Sequence, residues 1–318
     1  MLGTGLLASQ LPHVYAQDSA ATTIDTVWSP PVAPVALLGV AVRNGTTVKK
    51  YPYRVKTWNT PDQLRAGLAN KTMPVTVVPS YVSANVRNRG QDVILFNILT
   101  FGLLSIIGRD QPIASLAELQ GKTLLIPFKS DMPDLVLQAL FRKAGLDFSR
   151  INVQYLTTPP EALGLFLAGK ADYAFLPEPM ATAAILKGKK SGQNVLRVID
   201  VHREWGRIMG THSRIPQAGL QVTRVFYDAN RDFIDSLQQD LEAAVGWIES
   251  NPRSAAEIAT SYLPTPAPVL EQSLLHSNLT ATRTRTISTE IMLFFEELYR
   301  LNPRILGGKM PDEQLFGV

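Results

Sequence analysis

Three polar segments of this 318-residue sequence each follow a predicted strand and precede a predicted helix. They are Trp28-Ser29-Pro30, Pro79-Ser80-Tyr81 and Lys129-Ser130-Asp131. Open α/β sheets bind ligands beyond the carboxyl ends of their strands, where the free N–H groups of the next helix attract anions and carbonyl oxygens. The segments therefore predict a site for a small polar molecule, although each serine could equally cap its helix.

Charged and aromatic side chains accompany these segments. Glu178 lies between two prolines at the end of an apolar run, and Lys129 opens the third segment. A carboxylate would accept from a solute with a donor such as a ring amine, whereas a lysine would pair with an acidic solute. The helix dipole alone would also favour Glu178 at a first helical turn. Trp28 and Tyr81 could stack on a flat solute or pack in the core.

Several classes of chemistry are excluded by residue type. The sequence has no cysteine, which excludes disulfides, thiolate nucleophiles and cysteine-bound metals. It also lacks G-x-S-x-G, G-x-x-x-x-G-K-[ST] and H-E-x-x-H motifs. Asp200, His202 and Glu204 alternate along a predicted strand and could bind a metal, but polar residues commonly alternate on half-exposed strands. We expect no catalytic residue, no metal and no cofactor.

The overall composition is that of a folded globular chain, with 45% hydrophobic residues. The 31 Lys and Arg outnumber the 27 Asp and Glu to give a net charge of +4. These basic residues form no dense block, so we expect no nucleic-acid partner. No segment offers the run of about 18 apolar residues that a membrane-spanning helix needs.

Residues 1–16 are typical of the end of a secretory signal. An apolar run from Leu2 to Leu11 precedes Val14-Tyr15-Ala16, a small-residue cleavage pattern. No Lys or Arg precedes the run, so the signal is truncated or lacks its basic region; an apolar first helix is the alternative. We expect export to the periplasm as a soluble protein, without a lipid anchor because no cysteine is present.

The rest of the sequence alternates short apolar strands with amphipathic helices, which predicts an α/β fold. A block of strands and helices over residues 110–215 interrupts a similar region, and the last ninety residues are mainly helical. We expect residues 17–109 and 216–318 to form a first lobe and residues 110–215 an inserted second lobe. The chain would cross near Arg109 and return near Pro216, leaving a ligand cleft between the lobes.

Four stretches, in order, resemble a known family. They are IASLAELQGKTLLIP (113–127), AGKADYAFLPEPMATAA (168–184), WIESNPRSAAEIA (247–259) and LGGKMPDEQLF (306–316). The sequence is similar to the type II periplasmic solute-binding proteins of ABC importers, in the group that binds taurine, alkanesulfonates, nitrate and thiamine precursors. The resemblance implies a two-lobed α/β protein that is a binding protein rather than an enzyme, closes around a solute and delivers it to a membrane permease.

This resemblance places the predicted site in the cleft of a monomer that binds a sulfonate-like or pyrimidine-like solute. We expect the solute to accept hydrogen bonds from the amides of Ser130 to Met132 and to donate one to the Glu178 carboxylate, because the strands before these residues end at one sheet edge. Two alternatives share the scaffold. One is an enzyme of the pyrimidine-synthase type, whose cysteine-rich segment is missing here, and the other is a ligand-sensing subunit.

Overall fold

The computed structural model describes residues 25–110 and 112–317. The predicted signal, residues 1–16, lies outside the described residues. The strands are β1 (Thr26–Ser29), β2 (Arg54–Thr57), β3 (Val75–Pro79), β4 (Val93–Leu95), β5 (Asn97–Thr100), β6 (Leu104–Arg109), β7 (Thr123–Pro127), β8 (Asn152–Leu156), β9 (Tyr173–Pro177), β10 (Val195–Asp200), β11 (Ala218–Thr223) and β12 (Leu279–Arg283).

The helices alternate with these strands, as the sequence predicts. They are α1 (Val35–Asn44), α2 (Thr47–Lys50), α3 (Pro61–Ala69), α4 (Ser80–Asn88), α5 (Met132–Lys143), α6 (Pro159–Leu167), α7 (Met180–Lys190), α8 (Val201–Met209), α9 (Arg224–Ala229), α10 (Arg231–Ser250), α11 (Pro252–Ala259), α12 (Ala267–Leu274) and α13 (Ser288–Leu301).

The strands form two separate sheets. The first has seven strands in the order β12-β5-β11-β3-β1-β2, with β4 paired to β11, and the second has five in the order β10-β6-β9-β7-β8. Strand β1 runs parallel to β2 and β3, and β7 runs parallel to β8 and β9. The remaining pairs, which all include β5, β6 or β11, are antiparallel.

Each sheet is covered by apolar helix faces. Alternate residues of the first sheet, such as Val77 and Leu220, pack with fully buried residues of α1 and α10 such as Leu37 and Leu241. The second sheet packs on one face against α5 and on the other against α6 and α7. This layered burial is what makes near-continuous apolar strands stable, since parallel strands are covered on both faces.

The chain crosses between the sheets at an earlier residue than expected. Strand β6 ends at Arg109 but pairs with β9 and β10 of the second sheet. The crossing is therefore made by residues 101–103, and the expected crossing near Arg109 is wrong. The step is not evident from the sequence, because the largely apolar run from Val93 to Ile107, broken only by Asn97, Thr100, Gly102 and Ser105, carries β5 and β6 without a polar linker. Gly102, with φ +130°, makes the bend.

The return crossover lies between the end of α8 and the start of β11. It runs beside the first crossover, with Ile215 N–H donating to Phe101 O (2.8 Å) and Gln217 N–H to Thr100 O (3.2 Å). The Gln217 side chain also accepts from Leu103 N–H (3.0 Å). These hydrogen bonds join the two crossovers into one paired connection.

Helix α13 makes a further connection between the lobes. It follows β12 of the first sheet but packs against α5 of the second, where Arg142 pairs with Glu297. Phe294 of α13 also meets Trp205 of α8, with ring centroids 5.6 Å apart. The expected assignment of residues 216–318 to the first lobe does not fully describe α13, because its apolar face belongs to a core that contains α5 and α8 of the second lobe as well as Leu95 and Ile98 of the first.

Among the described residues, no helix is both long enough and apolar enough to cross a membrane.

Candidate ligand-binding cleft

Two sheet edges face each other across the crossovers. In the first sheet, Ala218 pairs with both Thr100 and Pro79, so the carboxyl ends of β3 and β5 lie together. In the second sheet, Leu104 pairs with Pro177, which places the start of β6 beside the end of β9. Because residues 101–103 connect β5 to β6 directly, these edges form the walls of a cleft, the site that such sheets use for ligands.

A hydrogen bond spans this cleft. Tyr81, in the first turn of α4, donates its hydroxyl proton to Asp131 Oδ1 at 2.5 Å. Asp131 is the N-cap of α5, and its Oδ1 also accepts from Met132 N–H at 2.6 Å. Burial and the adjacent Asp131 carboxylate raise the pKa of Tyr81 well above its ordinary value, so the hydroxyl keeps its proton. Two residues predicted separately as ligand groups are thus bonded to each other.

The backbone around Ser130 is already paired within its own loop. Ser130 adopts φ 60°, and its N–H donates to Asp134 Oδ2 at 2.8 Å. The N–H of Asp131 donates to Phe128 O at 3.1 Å. Together with the Met132 bond to Asp131, these contacts occupy the amides that we expected to receive a solute. The exposed Ser130 hydroxyl is the group that this loop leaves toward solvent.

The buried Asp134 carboxylate holds this loop by hydrogen bonds. It is 1% exposed and accepts from Tyr155 Oη (3.0 Å) and Gln138 Nε2 (2.9 Å) as well as from the loop amide. Burial and the Asp134 carboxylate raise the pKa of Tyr155. Lys129 is exposed, and its Nζ lies 5.2 Å from the centre of the Tyr155 ring. The loop therefore carries an exposed cation, Lys129, beside a ring that is itself hydrogen-bonded to Asp134.

Glu178 lies inside the second lobe rather than at its surface. Its side chain is fully buried, and its Oε1 pairs with Arg197 of β10. Its Oε2 accepts from Thr182 N–H at 3.2 Å, and Arg197 also donates to Thr182 Oγ1 at 3.1 Å. Burial raises the pKa of Glu178, and the Arg197 charge opposes that rise. Both carboxylate oxygens are therefore engaged by the protein.

The remaining predicted residues are built into the first lobe. Ser29 is fully buried and donates to Pro30 O at 3.0 Å, so it does not cap α1. Ser80 is also fully buried, and its hydroxyl donates to Pro216 O at 2.6 Å. Trp28 packs against an apolar cluster under α3, with Lys56 Nζ 5.5 Å from its ring. Ser80 therefore ties the start of α4 to the return crossover.

No protein-family model matches the sequence, and no curated protein matches it either. Solved structures do match. An ABC transporter protein of Parabacteroides distasonis aligns with a TM-score of 0.78 and 18% identity over 92% of this chain and 98% of its own.

The periplasmic aliphatic sulphonate binding protein SsuA of Escherichia coli aligns with a TM-score of 0.71 and 18% identity, over 93% of this chain and 91% of its own. The periplasmic nitrate-binding protein NrtA of Synechocystis aligns at 0.61 and 11%, over 79% and 70%. The chain has the two-lobed fold of these periplasmic binding proteins.

We refer to the two paired crossovers as the hinge, and side chains that the sequence analysis did not single out hold them in place by hydrogen bonds. Asn278 Nδ2 donates to Gly102 O at 2.6 Å and contacts His202 Nδ1 at 3.2 Å. A Cβ on Gly102 would lie 2.8 Å from His202 Cβ, so glycine is required at this bend. In the sequence, the signal that could have indicated the crossing is the position of Gly102, a glycine within a largely apolar run.

The alternation of Asp200, His202 and Glu204 does not form a strand in the two-lobed fold. Strand β10 ends at Asp200, and the other two residues lie on α8. His202 pairs with Asp200, while Glu204 pairs with Arg207 (2.5 Å). Within residues 25–110 and 112–317, no group of three or more His, Cys, Asp or Glu side chains is arranged to hold a metal.

Proposed function

We propose that this chain is an extracytoplasmic solute-binding protein that captures a small polar or anionic organic solute and delivers it to the permease of an ABC importer. The observation that carries the proposal is the cleft itself, whose walls are the strand ends of two sheets and meet at Tyr81 and Asp131. The names of the aligned sulphonate- and nitrate-binding proteins support the same role.

The proposal includes the cellular setting. Residues 1–16 would act as the export signal, and the mature chain would work in the periplasm as a monomer. It would bind its solute without changing it chemically. Recovery of the bound solute with unaltered mass would support this part, and a mass change would contradict it.

Four cleft residues are proposed to contact the solute: Tyr81, Lys129, Ser130 and Asp131. They lie at the starts of α4 and α5, on opposite walls. Lys129 would pair with an anionic group, while Asp131 would accept from a donor on the solute. Trp28, Ser29, Ser80 and Glu178 would serve as the framework, because their polar atoms or rings are engaged inside the lobes.

A binding screen tests this function directly. The mature chain is titrated with ethanesulfonate, taurine, nitrate, succinate and 4-aminopyrimidine, and the melting temperature and heat of binding are recorded. A solute at about 100 times its Kd adds about 2.7 kcal/mol to the free energy of unfolding. We expect at least one compound to raise the melting temperature progressively, with the logarithm of its concentration once that exceeds the Kd. Absence of binding by all five classes of probe would contradict the proposed solute class.

A matched pair of lysines localises the site. Lys129→Gln removes the cation at the carboxyl end of β7, and Lys122→Gln removes an exposed one just before the same strand begins. We expect the first variant to weaken an anionic probe about threefold to tenfold and the second to leave its Kd unchanged. Equal effects of the two would mean that the charge acts at long range rather than in the cleft.

A further inference from the structure

The hydrogen bond between Tyr81 and Asp131 joins residues 50 positions apart that belong to different lobes. We propose that this bond is a clasp that holds the lobes together before any solute arrives. The proposal concerns the resting conformation of the fold and does not depend on which solute the cleft receives.

The position of the clasp suits this role. The hinge crossovers connect β5 to β6 and lead back to β11, whereas the clasp residues follow β3 and β7. In the second sheet, β9 separates β7 from the hinge strand β6. A rotation about the crossovers would therefore draw the start of α4 away from the start of α5. A bond between those helix starts opposes this rotation directly.

Both partners are held in place before they meet. The Tyr81 ring packs against the apolar cluster that contains Met132 and Leu135 of α5, so apolar contact accompanies the hydrogen bond. Asp131 is fixed by its bond to Met132 N–H. Because neither side chain has to give up much freedom, the bond forms at a smaller entropic cost than one between two mobile surface residues.

The clasp has a consequence for solute exchange. A solute that enters must separate Tyr81 from Asp131 or bind beside the intact pair. Once the lobes reclose over the solute, the same bond slows release, because opening again requires its rupture. Removal of the clasp should thus speed both entry and release, and the dissociation rate is where most affinity differences arise.

The alternative is that Asp131 only caps α5 and that its contact with Tyr81 has no effect on the lobes. Two variants separate these roles. Tyr81→Phe removes the hydroxyl and keeps the ring. Asp131→Ser retains a side chain that caps helices well but is too short to span the cleft. Should Tyr81→Phe fold poorly, Asp131→Ser still tests the clasp from the other wall.

The measurement uses spin labels on the whole chain without solute. The sequence has no cysteine, so Ala66→Cys on α3 and Gly164→Cys on α6 would be labelled without background. Both positions are exposed, and a Cβ on Gly164 would meet no atom within 4 Å. Helices α3 and α6 follow the edge strands β2 and β8, far from the hinge strands, where opening gives the largest change in distance.

We expect one narrow distance distribution for the parent protein and a longer, broader one for Tyr81→Phe and Asp131→Ser. The ratio of closed to open molecules should fall about tenfold, as expected for loss of a charge-assisted hydrogen bond. Tyr53→Phe is the matched control, since its buried hydroxyl lies in the first lobe and has no hydrogen-bond partner among the described residues.

Three results would overturn the clasp. One is an unchanged distribution in both clasp variants, and another is a parent distribution already as broad as theirs. The third is an equal change in Tyr53→Phe, which would show that the effect is not specific to the cleft. The proposed function is tested by the solute titrations, so none of these three results would contradict it. A screen in which no probe binds would likewise not contradict the clasp, which the distance measurement tests without solute.

Discussion

Two carboxylates that follow strands of the second sheet lie in opposite environments. Glu178, after β9, is fully buried and paired with Arg197 of the same lobe. Asp131, after β7, stays partly exposed and bonds to Tyr81 of the other lobe. A carboxylate at a strand end is thus insufficient to identify a ligand group. Glu178 is used inside the lobe because another strand of the same sheet, β10, supplies Arg197, whereas Asp131 has its partner across the cleft.

The largest expected effect comes from removing the buried partner. Arg197→Leu would leave the Glu178 carboxylate without its counter-charge, which costs about 3 to 5 kcal/mol of unfolding free energy in buried pairs. Urea denaturation at pH 7 would measure this loss. A double variant, Glu178→Gln with Arg197→Leu, is the control and should recover most of the stability.

This pair also has a defined pH dependence. Burial raises the pKa of folded Glu178 above its unfolded value, although Arg197 opposes the rise. Arg197→Leu removes that opposition, so the folded state binds a proton more readily than the unfolded state. Its unfolding free energy should therefore rise as the pH falls through the folded pKa of Glu178 toward the unfolded one, near 4.3. The double variant should lack this dependence. If the unfolding free energies of Arg197→Leu and of the double variant changed in parallel with pH, Glu178 would not be the titrating group.

The next effect is that of Glu178→Gln alone. The amide keeps the shape but leaves Arg197 with a neutral partner, and we expect a loss of about 1 to 3 kcal/mol. Since Glu178 faces Arg197 rather than the cleft, the Kd of any probe found in the screen should change less than twofold. A tenfold higher Kd with an unchanged melting temperature would instead show that Glu178 contacts the solute.

A smaller effect distinguishes the two tasks of Asp131. Asp131→Ala removes both the cap of α5 and the clasp, and loss of a cap costs about 1 kcal/mol. Asp131→Ser should keep most of this stability while opening the lobes as strongly as the alanine variant. Thermal unfolding followed alongside the spin-label distance would measure both quantities. If the two variants were equally unstable, capping would not be separable from the clasp.

The smallest effect is expected for Tyr53→Phe. The Tyr53 hydroxyl is buried and has no hydrogen-bond partner within the part of the chain that the structure describes, and burial raises its pKa. Because an unsatisfied buried hydroxyl is costly, its removal should be neutral or stabilise the protein by up to about 1 kcal/mol. Tyr81→Phe, which breaks a real bond, should instead be neutral or slightly destabilising in urea. A clear loss of stability in Tyr53→Phe would mean that its hydroxyl has an uncounted partner.

Local features of the fold were predictable from sequence. The Thr60-Pro61 pair is typical of a helix start, and Thr60 does cap α3, with its Oγ1 accepting from Gln63 N–H at 3.1 Å. Glu118 reaches back to Ser115 N–H at 3.2 Å, as the S-x-x-E pattern predicts. These contacts depend on residues within a few positions of one another, where backbone geometry leaves few alternatives.

Long-range pairing was not predictable in the same way. Arg197 meets Glu178 because β6 lies between β9 and β10, an order that no local pattern encodes. The choice of strand or helix after Asp200 was likewise made by packing, since Trp205 of α8 is buried against α13. The cleft could be predicted from the strand ends, but the partners of its polar groups could not.

Helix α13 also affects the order in which the chain can fold. Its buried residues Ile291, Phe294 and Leu298 complete a core whose other members include Ile106 and Leu140, more than 140 positions earlier in the sequence. During synthesis, α5 and α8 therefore emerge long before α13, the helix that packs against them. Contacts of such sequence separation slow folding, because the entropic cost of closing the long loop comes before the gain from the contact. Part of the apolar surface of α5 and α8 thus stays uncovered until α13 has been made.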